Sequence, residues 1–165
     1  MTINRLKLTM LFSLICFLCC SCFSPFDKED MKRWIEQNHT KWDEAIAEFF
    51  AAREETDGFI HHQQHPELYI TKDIMQVFCD PEEETLSIYF QGAYSGEGCK
   101  YLHYSTSLTG SLIVIDIVKT EDAWQLVNST ERTWRWEGGG IDGSGYIYIE
   151  YLCDRWYYVE VFYPT

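Results

Sequence analysis

The chain has 165 residues, 46% of them hydrophobic, and 26 acidic against 13 basic side chains give a formal net charge of −13. That length suits one domain with a buried core. The acidity argues against nucleic-acid binding, which needs Lys and Arg to displace counterions, and disfavours direct contact with anionic headgroups.

The first element is a tripartite N-terminal segment. Met1 to Lys7 carries Arg5 and Lys7 and no acid, Leu8 to Leu18 is an uncharged apolar run, and Cys19-Cys20-Ser21-Cys22 follows. This is the layout of an export signal with a small-residue processing site. The stretch resembles a bacterial lipobox, with Cys19 standing where leucine is usual and Ser21 directly before Cys22. In that family the cysteine receives lipid and becomes the first mature residue. The resemblance is confined to about the first 22 residues. It implies a lipoprotein acylated, palmitate-fashion, on Cys22 rather than Cys20. Phe23 is not the Asp that marks inner-membrane retention in that family. The implied location is therefore the cell membrane or outer membrane, with the domain outside the cytoplasm.

An uncleaved signal anchor is the competing reading. Leu8 to Phe26 is nineteen residues without a charge, close to the length that spans hydrocarbon, and its flanking charges set the same orientation. Three crowded thiols with no spaced second pair do not make a zinc site. The expected division is residues 1–21 as signal peptide, 22–26 as lipidated leader and 27–165 as a single extracytoplasmic domain. Removing residues 1–21 takes away Arg5 and Lys7 and no acid, moving the formal charge from −13 to −15.

A long helix comes next. Ser24-Pro25-Phe26-Asp27 has the form of a capping box with Pro at the first helical position. Met31, Trp34, Ile35, Trp42, Ala45, Ile46, Phe49 and Phe50 then recur at three- and four-residue intervals as one apolar stripe, interrupted at Asn38. Lys28, Glu29, Lys32, Lys41, Glu44, Glu48 and Glu54 fill the other faces. Gly58 suits a left-handed terminating position. About thirty residues would span roughly 45 Å.

From Tyr69 the pattern changes to strands rich in β-branched and aromatic residues: 74–79, 85–91, 99–106, 111–119, 123–129, 133–136, 146–153 and 156–163. Short turn signals between them imply antiparallel neighbours. Ser111–Lys119 is nearly continuous in apolar residues and is expected at the sheet centre, with Asp116 needing a partner. The fold class is α+β, a long N-terminal helix packed on a curved antiparallel β-meander. Its outline resembles cystatin-like and NTF2-like folds. A small calycin-like β-barrel with an outer helix is the alternative.

Few constellations carry chemistry. His61 and His65 would share a helical face, with His103 or Glu67 as a third ligand, but the metalloprotease pattern needs Glu where His62 stands, and Pro66 disfavours helix at His65. No metal or other cofactor is expected. Glu137–Gly145 is Gly-rich but lies between strands and lacks a following GK[ST], so it reads as a long, flexible hairpin loop or rim rather than a phosphate cradle. Cys79, Cys99 and Cys153 allow one disulfide with three possible pairings, or three buried apolar thiols.

Asp116, Glu137, Asp142, Glu150, Asp154 and Glu160 are carboxylates whose separation the sequence does not give, and Cys99 with His103 is a conceivable nucleophile–base pair. The late strands are dense in aromatics. Trp134, Trp136, Tyr146, Tyr148, Trp156 and Tyr158 are the expected ligand- or partner-binding residues, suited to a glycan or protein because large rings combine area with a polar tip. The expected function is a lipid-anchored envelope protein with a non-catalytic binding domain, its partners the membrane through Cys22 and a protein or glycan. A small envelope hydrolase using carboxylates in a cavity, or an immunity-type inhibitor of a basic toxin, are the alternatives.

Overall fold

The structure, a computed structural model, describes residues 27–52, 58–106, 124–139 and 143–164. Cys22, the export segment, Ser24 to Phe26 and the apolar run Ser111–Lys119 lie outside the described residues. Helix α1 (Lys28–Ala52) starts at a cap three residues later than the Ser24 pattern suggests. The Asp30 amide donates to Asp27 Oδ1 at 2.9 Å, and the Asp27 amide reaches back to Asp30 Oδ2 at 3.5 Å. This reciprocal pair closes two of the helix's orphan donors. Asn38, which interrupts the apolar stripe, turns its amide back to the Trp34 carbonyl at 2.8 Å.

Among the described residues nine strands follow: β1 (Phe59–Ile60), β2 (Ile74–Asp80), β3 (Thr85–Phe90), β4 (Tyr94–Ser95), β5 (Gly98–Ser105), β6 (Gln125–Ser129), β7 (Thr133–Glu137), β8 (Tyr146–Cys153) and β9 (Trp156–Phe162). All pairings are antiparallel, and the order is β1-β2-β3-β5-β9-β8-β7-β6 with β4 as a short flap on β5. Two meanders are thus joined by the β5–β9 pair, the second entered from its far edge. Within the described residues β5 and β9 hold the sheet centre. The sheet is open, so the architecture is α+β with a helix on a curved sheet and not the closed barrel.

Alternation then fixes which side chains meet α1. Met31, Ile35, Trp42, Ile46 and Phe49 of α1 are buried against Val77, Leu86, Ile88, Phe90, Leu102, Trp156 and Tyr158. Trp42 sits edge-on to both Trp34 and Trp156, each with ring centroids 5.7 Å apart. The opposite face has its own buried cluster, comprising Tyr101, Trp136, Ile147, Ile149, Tyr157 and Val159. A sheet apolar on both faces is why β5, β8 and β9 read as almost continuous apolar and aromatic runs. Among the described residues no helix is long and apolar enough to cross a membrane.

Candidate functional site

The six aromatic residues singled out from the sequence do not form one surface. Trp134 and Trp136 share a face, as strand alternation requires, with Arg135 and Glu137 on the other. Their register partners are Ile149 and Ile147, so they belong to the face opposite α1. Tyr146, Tyr148, Trp156 and Tyr158 lie on the helix side. Trp156 and Tyr158 are fully buried there, and the Trp156 indole donates to Asp43 Oδ1 at 3.1 Å. Tyr146 and Tyr148 are half-buried beside the start of α1.

That corner contains a network of phenols, ammonium groups and two carboxylates. Glu150 accepts from Lys28 at 2.6 Å, from Lys32 at 2.7 Å and from the Tyr148 hydroxyl at 2.8 Å. Glu160, diagonal to it on β9, accepts from the Tyr146 hydroxyl at 2.6 Å and the Tyr158 hydroxyl at 2.8 Å. Lys28 and Lys32 were expected on the solvent faces of α1. They turn toward the sheet instead because β8 offers a half-buried carboxylate beneath the first helical turns. Lys28 also stands 4.3 Å over the Tyr148 ring, and Arg135 stands 4.4 Å over Tyr146.

The electrostatics show what this network can do. Burial pushes the Glu150 carboxyl up, but hydrogen bonds from Lys28, Lys32 and Tyr148 outweigh it and hold the group at about 2. Burial likewise opposes ionisation of Glu160, and the Tyr146 and Tyr158 hydroxyls overcome it, lowering its pKa. Acid–base catalysis by two carboxylates needs their pKa values pushed apart. Here both move down, and both groups are occupied by their own neighbours.

The remaining candidates separate in space. His65 Nδ1 pairs with Glu67 at 3.0 Å and its ring meets Phe49 edge-on, while His62 packs on Tyr69. Among the described residues no group of three His, Cys, Asp or Glu side chains is placed to hold a metal ion. Cys99 and His103 share a face but are four residues apart on β5, roughly 13 Å along a strand, and His103 Nδ1 is 3.0 Å from Ser87 Oγ. Cys79, Cys99 and Cys153 lie in three separate strands, and among the described residues none is joined in a disulfide. The base of the Gly-rich loop is closed by the Gly138 amide donating to the Gly145 carbonyl at 3.0 Å and the Gly145 amide to the Gly139 carbonyl at 3.2 Å.

An aromatic row on the face opposite α1 was not anticipated. Phe59, Phe78, Tyr89 and Tyr101 follow one another across β1, β2, β3 and β5, with ring centroids 4.1, 5.7 and 4.9 Å apart. Tyr94 of β4 stacks on Tyr89 at 5.4 Å with the planes 1° from parallel. Phe59 and Tyr94 are 42% and 52% exposed, whereas Tyr101 is buried. The sequence signal was present: Phe78 and Tyr89 occupy the positions alternate to Val77, Cys79, Leu86, Ile88 and Phe90. Nothing in it, however, aligned the rings across four strands.

No family model, curated protein or solved structure matches the chain. Its function is argued from geometry.

Proposed function

We propose that the chain is a lipid-anchored cell-envelope protein whose domain is a non-catalytic binding module, tethered through Cys22 and displayed outside the cytoplasm. One observation carries the binding reading: the domain leaves an aromatic row open at Phe59 and Tyr94, while its best-placed carboxylates are ionised and saturated by their own lysines and tyrosines. Large half-exposed rings supply contact area at little entropic expense. A carboxylate already holding two ammonium groups has neither a proton to give nor a free lone pair suited to taking one. The lipobox-like layout of the first 22 residues supports the location, and the acidity disfavours direct contact of the domain with anionic headgroups.

The test is site-specific photo-crosslinking in intact cells, with a crosslinking phenylalanine analogue at position 94 or, as control, at exposed position 29. A discrete adduct at 94 and none at 29 is expected. Equal labelling at both positions, or none at 94 in a folded protein, overturns the binding reading.

A further inference from the structure

We infer that Glu150, Tyr148 and Tyr158 form a binding site for a primary ammonium group, filled in the unliganded chain by Lys28 and open to an external amine by exchange. The site lies on the α1 face of the sheet, so it goes beyond the binding surface proposed above and does not depend on it. Lys28 Nζ is 2.6 Å from Glu150 Oε2 and donates to the Tyr148 hydroxyl at 3.2 Å. It stands 4.3 and 5.3 Å from the ring centroids of Tyr148 and Tyr158. A carboxylate and two aromatic rings around one cation are the groups that recognise organic ammonium ligands. The two short polar contacts need N–H donors, which a primary ammonium has and a quaternary one lacks.

The walls of the site are held by bonds in which Lys28 takes no part. Tyr158 donates to Glu160 at 2.8 Å, Tyr148 donates to Glu150 Oε2 at 2.8 Å, and Lys32 holds Glu150 Oε1 at 2.7 Å. The Tyr148 and Tyr158 rings meet edge-on with centroids 6.3 Å apart. The carboxylate therefore keeps one ammonium when Lys28 leaves, and the cost of a stranded buried charge is avoided. Lys28 reaches the site from the first residue of α1, and its side chain is 31% exposed. Its stem can swing into water without unwinding the helix, because the Asp27–Asp30 cap and the buried Met31 and Ile35 hold that end in place. Replacing one ammonium by another preserves the ion pair, so Lys28 sets only the concentration at which a competitor enters. The net charge of −13 raises the local concentration of such cations.

Tyrosine-ring NMR on the full chain in a non-ionic detergent tests the exchange, with n-butylammonium, the lysine side chain as a free amine, as probe. Lys28→Ala vacates the site and should bind n-butylammonium saturably, with shifts at the Tyr148 and Tyr158 rings. Tetramethylammonium at the same ionic strength should give none. Wild type should show the same shifts at about tenfold higher probe concentration, because Lys28 competes. Lys28→Met refills the space with an apolar stem, and Lys28→Ala combined with Glu150→Gln removes the carboxylate; both should lose the shifts. Circular dichroism checks that the variants fold. No saturable binding to Lys28→Ala, no response in wild type, or shifts that survive Lys28→Met and Glu150→Gln would reduce the Lys28 contact to a structural clasp and overturn the site. A capped Gly-Lys-Gly peptide separates the sources of the amine. Binding comparable to n-butylammonium assigns the lysine of a protein partner, and exclusion of the peptide assigns a small free amine.

Discussion

Lys28 Nζ lies 2.6 Å from Glu150 Oε2, joining the first helical turn of the domain to its penultimate strand. Lys32 completes the clasp at 2.7 Å. With 31% and 15% of the Lys28 and Glu150 side chains exposed, the pair is neither a surface contact nor fully dry. Removing the carboxylate strands two ammonium groups against the sheet, so Glu150→Gln should lower unfolding free energy by about 1–2 kcal/mol, between the values for exposed and buried pairs. Urea titration at neutral pH measures it.

The same group sets an acid limb. Burial alone would raise its pKa, but Lys28, Lys32 and Tyr148 bring it from 4.5 to about 2 in the folded chain. A depressed carboxylate stabilises the fold fully above its unfolded value and loses that contribution as pH falls through the folded one. Wild type should therefore lose stability between about pH 4.5 and 2 beyond what Glu150→Gln loses. Denaturation midpoints collected across that window check it, and parallel curves would contradict it.

At high pH the sign reverses. Burial, then the hydrogen bond to Glu160, raises the Tyr146 hydroxyl to about 12, with Arg135 opposing. The unfolded phenol ionises first, so this contribution is complete below about pH 10 and is lost as pH rises through about 12. Tyr146→Phe should flatten the alkaline limb, and because it also removes a donor that lowers the Glu160 carboxyl it should shrink the acid limb as well. Tyrosinate absorbance during the titration identifies the group.

How much of this was legible follows from the range of each contact. The helical stripe and the two-residue alternation are local, so α1, its buried residues and the shared face of Trp134 and Trp136 could be read directly. Pairing is not local. Nothing in Tyr101 or Val159 specifies that β5 lies beside β9, and without that neighbour the helix-side position of Tyr158 has no address. Lys28 and Lys32 looked like solvent lysines because Glu150 lies far along the chain. Phe59 belongs to a strand of two residues, too short to show any period, yet it ends the aromatic row.

Trp42 and Trp156 make a controlled comparison. Both are fully buried and touch one another edge-on. Trp156 donates to Asp43, whereas Trp42 Nε1 has no hydrogen-bond partner among the described residues. An unmet buried donor carries a desolvation penalty of about 1–3 kcal/mol. Trp42→Phe removes that penalty with part of the ring, so its net destabilisation should be the smaller of the two. Trp156→Phe loses both packing and a bond, and should be worse by about 1–2 kcal/mol. Thermal melts of the two variants decide the order.

The proposed tether makes its own prediction. Cys22→Ala should abolish incorporation of labelled palmitate and release the chain from membranes, while Cys20→Ala keeps both. Mass spectrometry of the mature N-terminus should find residue 22 first and acylated. An intact N-terminus at Met1 in the membrane fraction would indicate the uncleaved signal anchor instead.

Gly139 and Gly143 separate strain from collision. Both have positive φ, +68° and +72°, where an added Cβ costs about 1 kcal/mol from backbone conformation alone. At Gly143 that Cβ meets nothing within 4 Å among the described residues, but at Gly139 it would collide with the Trp124 ring. Gly143→Ala should therefore show only the backbone penalty. Gly139→Ala must also displace the indole, whose Nε1 is buried without a hydrogen-bond partner among the described residues. The indole is a side chain that can swing outward, so the outcome should be local: a red shift of Trp124 emission, absent in Gly143→Ala, and about 1–3 kcal/mol of lost stability. With Trp124→Phe as background, the red shift should vanish.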